Sequence, residues 1–142
     1  VGEVSKYNKL DLEVDVCSDL MIKHKAGAIS QIHLDYIQQP AHRSGLITFE
    51  MGWLSYDFTR MELIGQRKNN DTRIIWSDQN YDYNQAYIDQ MVEFVRFVEE
   101  GRLKHKYDAK SSIESLKVVE SLFESSNSGR KVSIERNERF SF

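Results

Sequence analysis

Hydrophobic positions recur every second residue through the first part of the chain and every three to four residues through the last. After a short apolar-polar run around Val4 to Tyr7, Leu10, Leu12, Val14 and Val16 alternate with Asp11, Glu13 and Asp15, the period of a half-buried strand. Leu20 to Lys23 and Ile29 to Gln38 flank the Gly-containing "KAGA" and read as a hairpin. Leu46 to Glu50 and Trp53 to Phe58 flank "MG", a second hairpin whose turn draws on the freedom of Gly52. Alternation returns over Arg60 to Arg67 and, after the polar turn "KNND", over Thr72 to Ser77. These segments predict a meander of antiparallel strands.

From Asp82 the period becomes helical. Asp82 and Gln85 form a capping-box pattern, and Tyr87, Met91, Phe94, Val95 and Val98 make one broad apolar stripe that ends at Gly101, with Arg102 and Lys104 beyond it. Ser111 and Glu114 repeat the capping pattern ahead of a second stripe, Ile113, Leu116, Val119, Leu122 and Phe123. "SSNSG" closes that helix, and Lys131 to Glu135 reads as a last short strand. Two amphipathic helices need an apolar surface, and an antiparallel sheet has one face to offer. The expected fold is α+β: a two-layer sandwich of a largely antiparallel open sheet with two helices packed on one face.

Strand parity then separates two sets of side chains. Ile32, Leu34 and Tyr36 point one way and are expected to meet the helices, while Gln31, His33 and Asp35 point to the open face. That face is either solvated or covered by another subunit.

Composition narrows the function classes. At 142 residues and 16.7 kDa the chain is long enough to build a core, and a net charge of −3 with both signs interspersed offers no basic face for nucleic acid. The apolar runs fall far short of the ~20 residues that span a bilayer, so no membrane attachment is expected. Cys17 is the only cysteine, which excludes an internal disulfide and agrees with a reducing, cytoplasmic setting.

Candidate chemistry is sparse. His33 and Asp35 could be a base with its orienting carboxylate or two metal ligands. With no third ligand indicated, and residues two apart in a strand not in contact by default, a polar pair on a sheet face is the simpler reading, and no metal is assigned. His24 near a turn and His105 past a helix read as solvated. No G-x-S-x-G elbow, G-x-G-x-x-G or phosphate loop can be written on the seven glycines, and Cys17 has no local basic partner. The segment "QQPAHR", Gln38 to Arg43, carries the only proline, a guanidinium suited to a carboxylate or phosphate, and a titratable histidine. It is either a ligand-contacting loop or a polar connection stiffened by Pro40.

The succession G-x-x-x-x-I-H-L-D-Y-x-Q-x-P-x-x-R at Gly27 to Arg43, followed by "FEMGWLSYD", resembles the C-terminal domain of the Gfo/Idh/MocA family, the relatives of glucose-fructose oxidoreductase and inositol dehydrogenase. Tyr87-x-x-x-Met91-x-x-Phe94, the Glu100-Gly101 turn and "SLFESSNSGRKVSI" agree with its later parts, so the resemblance runs from about Glu3 to Ile134. It implies that residues 1–136 are the substrate-binding and oligomerisation domain of an NAD(P)-dependent oxidoreductase acting on a sugar, cyclitol or nucleotide sugar, with 137–142 as a tail. The family's glycine-rich loop, its Glu-Lys-Pro signature and its Gly-Gly-x-x-x-Asp-x-x-x-His helix are not found here. On this reading the chain is a fragment that holds no cofactor and no catalytic residue, and NAD(P) belongs to the longer parent.

The same resemblance implies that Gln31, His33 and Asp35 face a neighbouring subunit, making a homo-oligomer through the open sheet. It implies that Gln39, His42 and Arg43 border the cleft for a sugar-like substrate, with Arg43 gripping an anionic group and His42 bonding a hydroxyl, and that Tyr87 is a core residue. The alternative is a stand-alone module of the same architecture that binds a small ligand or a protein through the open sheet, without redox chemistry.

Overall fold

Alternation becomes strand and the 3.6 period becomes helix over most of the chain. The computed structural model describes residues 1–6, 14–101 and 109–134. The elements run β1 (Gly2–Ser5), β2 (Cys17–Lys23), β3 (Ile29–Asp35), β4 (Ser44–Phe49), β5 (Gly52–Asp57), β6 (Glu62–Arg67), β7 (Arg73–Ser77), α1 (Tyr83–Glu99) and α2 (Ala109–Ser128). The fold is α+β, with two open antiparallel sheets, ordered β1-β2-β3 and β4-β5-β6-β7, and two helices. The strands thus divide between two sheets where the meander suggested one. The chain resolves into two compact units: the second is Gln38–Arg102, and the first is built from the segments on either side of it.

In the first unit, β2 and β3 pair in a single register from Cys17↔Asp35 to Lys23↔Ile29. Their turn closes through His24 N–H to the Ala28 carbonyl at 2.9 Å. Helix α2 seats along β1. The Gly2 and Val4 amides, on the outer edge of that strand, donate to the Ser125 and Ser126 hydroxyls at 3.0 Å each, and Ser125 Oγ in turn donates to the Arg130 carbonyl at 2.6 Å. Those bonds satisfy an edge that would otherwise be open to pairing. Leu122 lies so close to Gly2 that a Cβ there would come within 2.2 Å of it.

The face that α2 turns inward differs from the expected stripe. Ser125 is buried and Val118, Ser121 and Leu122 are half-buried, whereas Leu116, Val119 and Phe123 are exposed. Small serines allow the close approach and supply the bonds to backbone; bulky residues at those positions would hold the helix away. The expected cap also moves. α2 begins at Ala109, so Ser111 lies inside the helix, and Glu114 accepts from Lys117 at 2.9 Å. The expected strand over Lys131 to Glu135 does not form: 131–134 is irregular, and Glu135 lies outside the described residues. Leu10 and Leu12 of the first expected strand, Arg102, Lys104, His105 and the tail 137–142 also lie outside them, and Val14 to Val16 is not strand.

In the second unit, Phe49 pairs with Gly52 across a two-residue turn at Glu50 and Met51. Gly52 has φ +152°, and a Cβ on it would stand 2.0 Å from the Gln66 carbonyl oxygen of β6. The close approach of β6 therefore demands glycine there as much as the turn does. A register shift at Leu63/Ile64 marks a bulge against β7. Asp82 caps α1, but its carboxylate accepts from the Asn84 amide at 2.9 Å, and Gln85 reaches forward to Asp89 at 2.7 Å instead of completing the box. Gly101, φ +60°, ends α1 as its position in sequence implies, its amide donating to the Val98 carbonyl at 3.1 Å.

Little apolar surface is hidden. Val16 is the buried hydrophobic residue among those described, while Ile32, Leu34 and Tyr36 are exposed, against the expectation that helices cover them. The α1 stripe is exposed too, Tyr87 at 70%, which corrects its reading as a core residue: among the described residues α1 buries none.

Candidate functional site

The β2–β3 pairing builds a polar cluster on one face of the first unit. Asp19 lies opposite His33, and Cys17 lies opposite Asp35. Residues directly opposite each other project to the same side of the sheet, so four chemically active side chains share one patch. His33 stands at its centre, Nδ1 2.7 Å from Asp19 Oδ1 and Nε2 3.0 Å from Asp35 Oδ2. The Cys17 thiol points at Asp19 Oδ2 across 3.9 Å.

The two carboxylates differ in setting. Asp35 is largely enclosed, its side chain 10% exposed, and its Oδ1 accepts from the Ile37 amide at 2.7 Å; Asp19 is 63% exposed. Hydrogen bonding to Asp19 and then to Asp35, with their negative charge, raises the His33 pKa above its usual 6.5, more than the small loss of solvation lowers it. Two acids around one imidazole give the patch a negative balance, which suits a cation better than an anion. Gln31, the third residue expected on this face, is exposed opposite Met21 and lies outside the bonded cluster.

Alternation alone marks His33 and Asp35 but not Asp19 and Cys17, because the apolar run that signals β2 begins at Leu20, three residues inside the strand. The signal was available: Cys17, Asp19 and Met21 alternate with Ser18, Leu20 and Ile22, and pairing Lys23 with Ile29 fixes Asp19 beside His33.

The second cluster lies in the second unit. Gln39 is exposed and joined to Pro40 by a cis peptide, His42 Nε2 is 2.7 Å from Ser44 Oγ, and the Arg43 guanidinium lies over the Phe58 ring, 5.2 Å from its centroid. The backbone fixes this loop end: the Phe58 amide donates to the Arg43 carbonyl at 2.8 Å. Beside it, Asp57 accepts from the Thr59 and Arg60 amides at 2.8 and 3.0 Å. Partial burial pushes the Asp57 pKa up, but the Arg60 and Thr59 amides and the charges of His42 and Arg60 together carry it below the ordinary 3.8. Arg43 and His42 are thus presented at one loop end, and the stacked guanidinium keeps its edge available for an anionic oxygen. Gln39 has no part in this bonded group.

No protein-family model matches the chain, and no curated protein matches its sequence. Among the described residues, no helix is long and apolar enough to cross a membrane.

Proposed function

We propose that this chain is the substrate-binding and oligomerisation part of an NAD(P)-dependent, cytoplasmic oxidoreductase of Gfo/Idh/MocA type, acting on a sugar, cyclitol or nucleotide sugar. The observation that carries the reading is the apolar surface left open on both units, Leu34 on β3 with Tyr36 just past its end, Ile74 to Trp76 on β7 and the whole stripe of α1. Surfaces of this kind call for further polypeptide to cover them. Two further features support the reading: "IHLD" ends a strand that carries polar side chains on one face, and Arg43 and His42 sit on a backbone-fixed loop.

In this reading Gln31, His33 and Asp35 belong to the contact between copies, and Gln39, His42 and Arg43 to substrate. NAD(P) is held by the longer parent and supplies the hydride chemistry. The test is the intact mass of the native product in its source cells, with an NADH fluorescence titration of this chain. A product larger by a domain of about 100–150 residues, and no NADH binding by the chain itself, is expected; a native product of 16.7 kDa overturns the proposal. In that event, binding of a ligand or protein through the open sheet becomes the function.

A further inference from the structure

We propose that Cys17, Asp19 and His33 form a binding site for a zinc-class divalent transition metal on the β2–β3 hairpin, with Asp35 orienting the imidazole from its far side. The inference does not rest on the oxidoreductase reading, since it uses neither substrate nor cofactor, though it shares His33 and Asp35 with the face that reading assigns to the contact between copies.

One donor atom from each of the three residues lies within 4.8 Å of the other two. Tetrahedral bonds of about 2.0–2.3 Å place such donors about 3.4–3.6 Å apart. Asp19 reaches both neighbours through different oxygens, Oδ1 standing 2.7 Å from His33 Nδ1 and Oδ2 3.9 Å from the Cys17 thiol. Turning the exposed Asp19 and His33 side chains toward the half-buried Cys17 thiol, on a fixed strand register, closes the set around one ion. Sulfur, nitrogen and carboxylate oxygen together suit zinc or cobalt and disfavour magnesium and calcium, which take oxygen alone.

The second ring nitrogen supplies an independent observation. Nε2 is bonded to Asp35, itself enclosed and fixed by the Ile37 amide, so the imidazole presents Nδ1 to Asp19. A carboxylate behind the histidine fixes tautomer and orientation in the manner of metal-bound imidazoles. Binding displaces the thiol proton of Cys17 and the proton shared between Nδ1 and Asp19 to solvent. Three protein donors leave a fourth position for water or a ligand atom.

The test is a Co²⁺ titration of the full chain after treatment with chelator. Because Cys17 is the only cysteine, a thiolate-to-cobalt charge-transfer band reports on this position alone. The expected result is that band together with intense tetrahedral d–d absorption, both abolished in Cys17→Ser and in His33→Ala. Asp35→Asn is expected to keep the spectrum and weaken affinity about 10- to 100-fold. Absence of the charge-transfer band in the unaltered chain, or its persistence in His33→Ala at full affinity, overturns the site; full affinity in Asp35→Asn overturns the orienting role. Imidazole ¹⁵N spectra of the unaltered chain with Zn²⁺ give a reading that needs no variant: Nδ1 of His33 shifts while Nε2 stays protonated, and unchanged His33 signals count against binding.

Discussion

The two units hold their helices in opposite ways. In the first, α2 has a modest apolar stripe, yet two of its serines bond the edge amides of β1, and one of them, Ser125, is the buried residue of the helix among those described. In the second, α1 has the broader stripe and buries none of it; what fixes it is its beginning, where Asp82 caps the helix and the Tyr83 hydroxyl donates to the Phe58 carbonyl. Hydrophobic periodicity therefore marks a helix without saying what the helix packs against. An edge strand with unsatisfied amides is a specific partner for hydroxyls, whereas an apolar stripe accepts any apolar surface.

The largest expected effect separates the units through backbone geometry. Gly52→Ala forces a side chain into the β6 carbonyl at a positive φ and is expected to cost about 3 kcal/mol or more. Hydrogen exchange should show the loss confined to β4–β7, with β1–β3 protection retained; loss in both would erase the distinction between the units.

Ser125→Ala comes next. It leaves the Gly2 amide and the Arg130 carbonyl without their hydroxyl, and a cost of about 1–3 kcal/mol is expected in denaturant titration. The amide of Gly2 should then exchange faster, and an unchanged midpoint would mean that α2 is held by apolar contact after all.

Smaller effects appear with pH, and they run in opposite directions. His33 has its pKa raised in the folded state, so its contribution to the first unit is fully present below about 6.5, the unfolded value, and is lost as pH rises through the folded pKa. Asp57 has its pKa lowered, so its contribution to the second unit is present above 3.8, the unfolded value, and is lost as pH falls through the folded pKa. Melting curves in chelator for His33→Gln and Asp57→Asn should each flatten one limb only. A variant that alters both limbs would show that the groups are coupled.

The smallest effect is expected for Phe94→Ser on the α1 stripe. Within the isolated chain it should change stability by less than about 0.5 kcal/mol, because the ring buries little. A cost comparable to that of Ser125→Ala would mean that the stripe is packed in solution.

Much of the local structure was legible in the residues alone. Alternation located β2 to β7 within a few residues, Gly52 and Gly101 marked a turn and a helix end, and Asp82 marked a helix start, because each depends on backbone preferences set by near neighbours. His33 and Asp35 were legible as a pair on one face for the same reason: alternation along a strand is local. Asp19 and Cys17 joined them only through the pairing of β2 with β3, and the inward face of α2 was chosen by the free edge of β1 rather than by its own largest residues. Period and caps are properties of a segment. Register, the partner of an apolar stripe and the company a histidine keeps depend on residues distant in sequence, and tertiary structure alone brought those together.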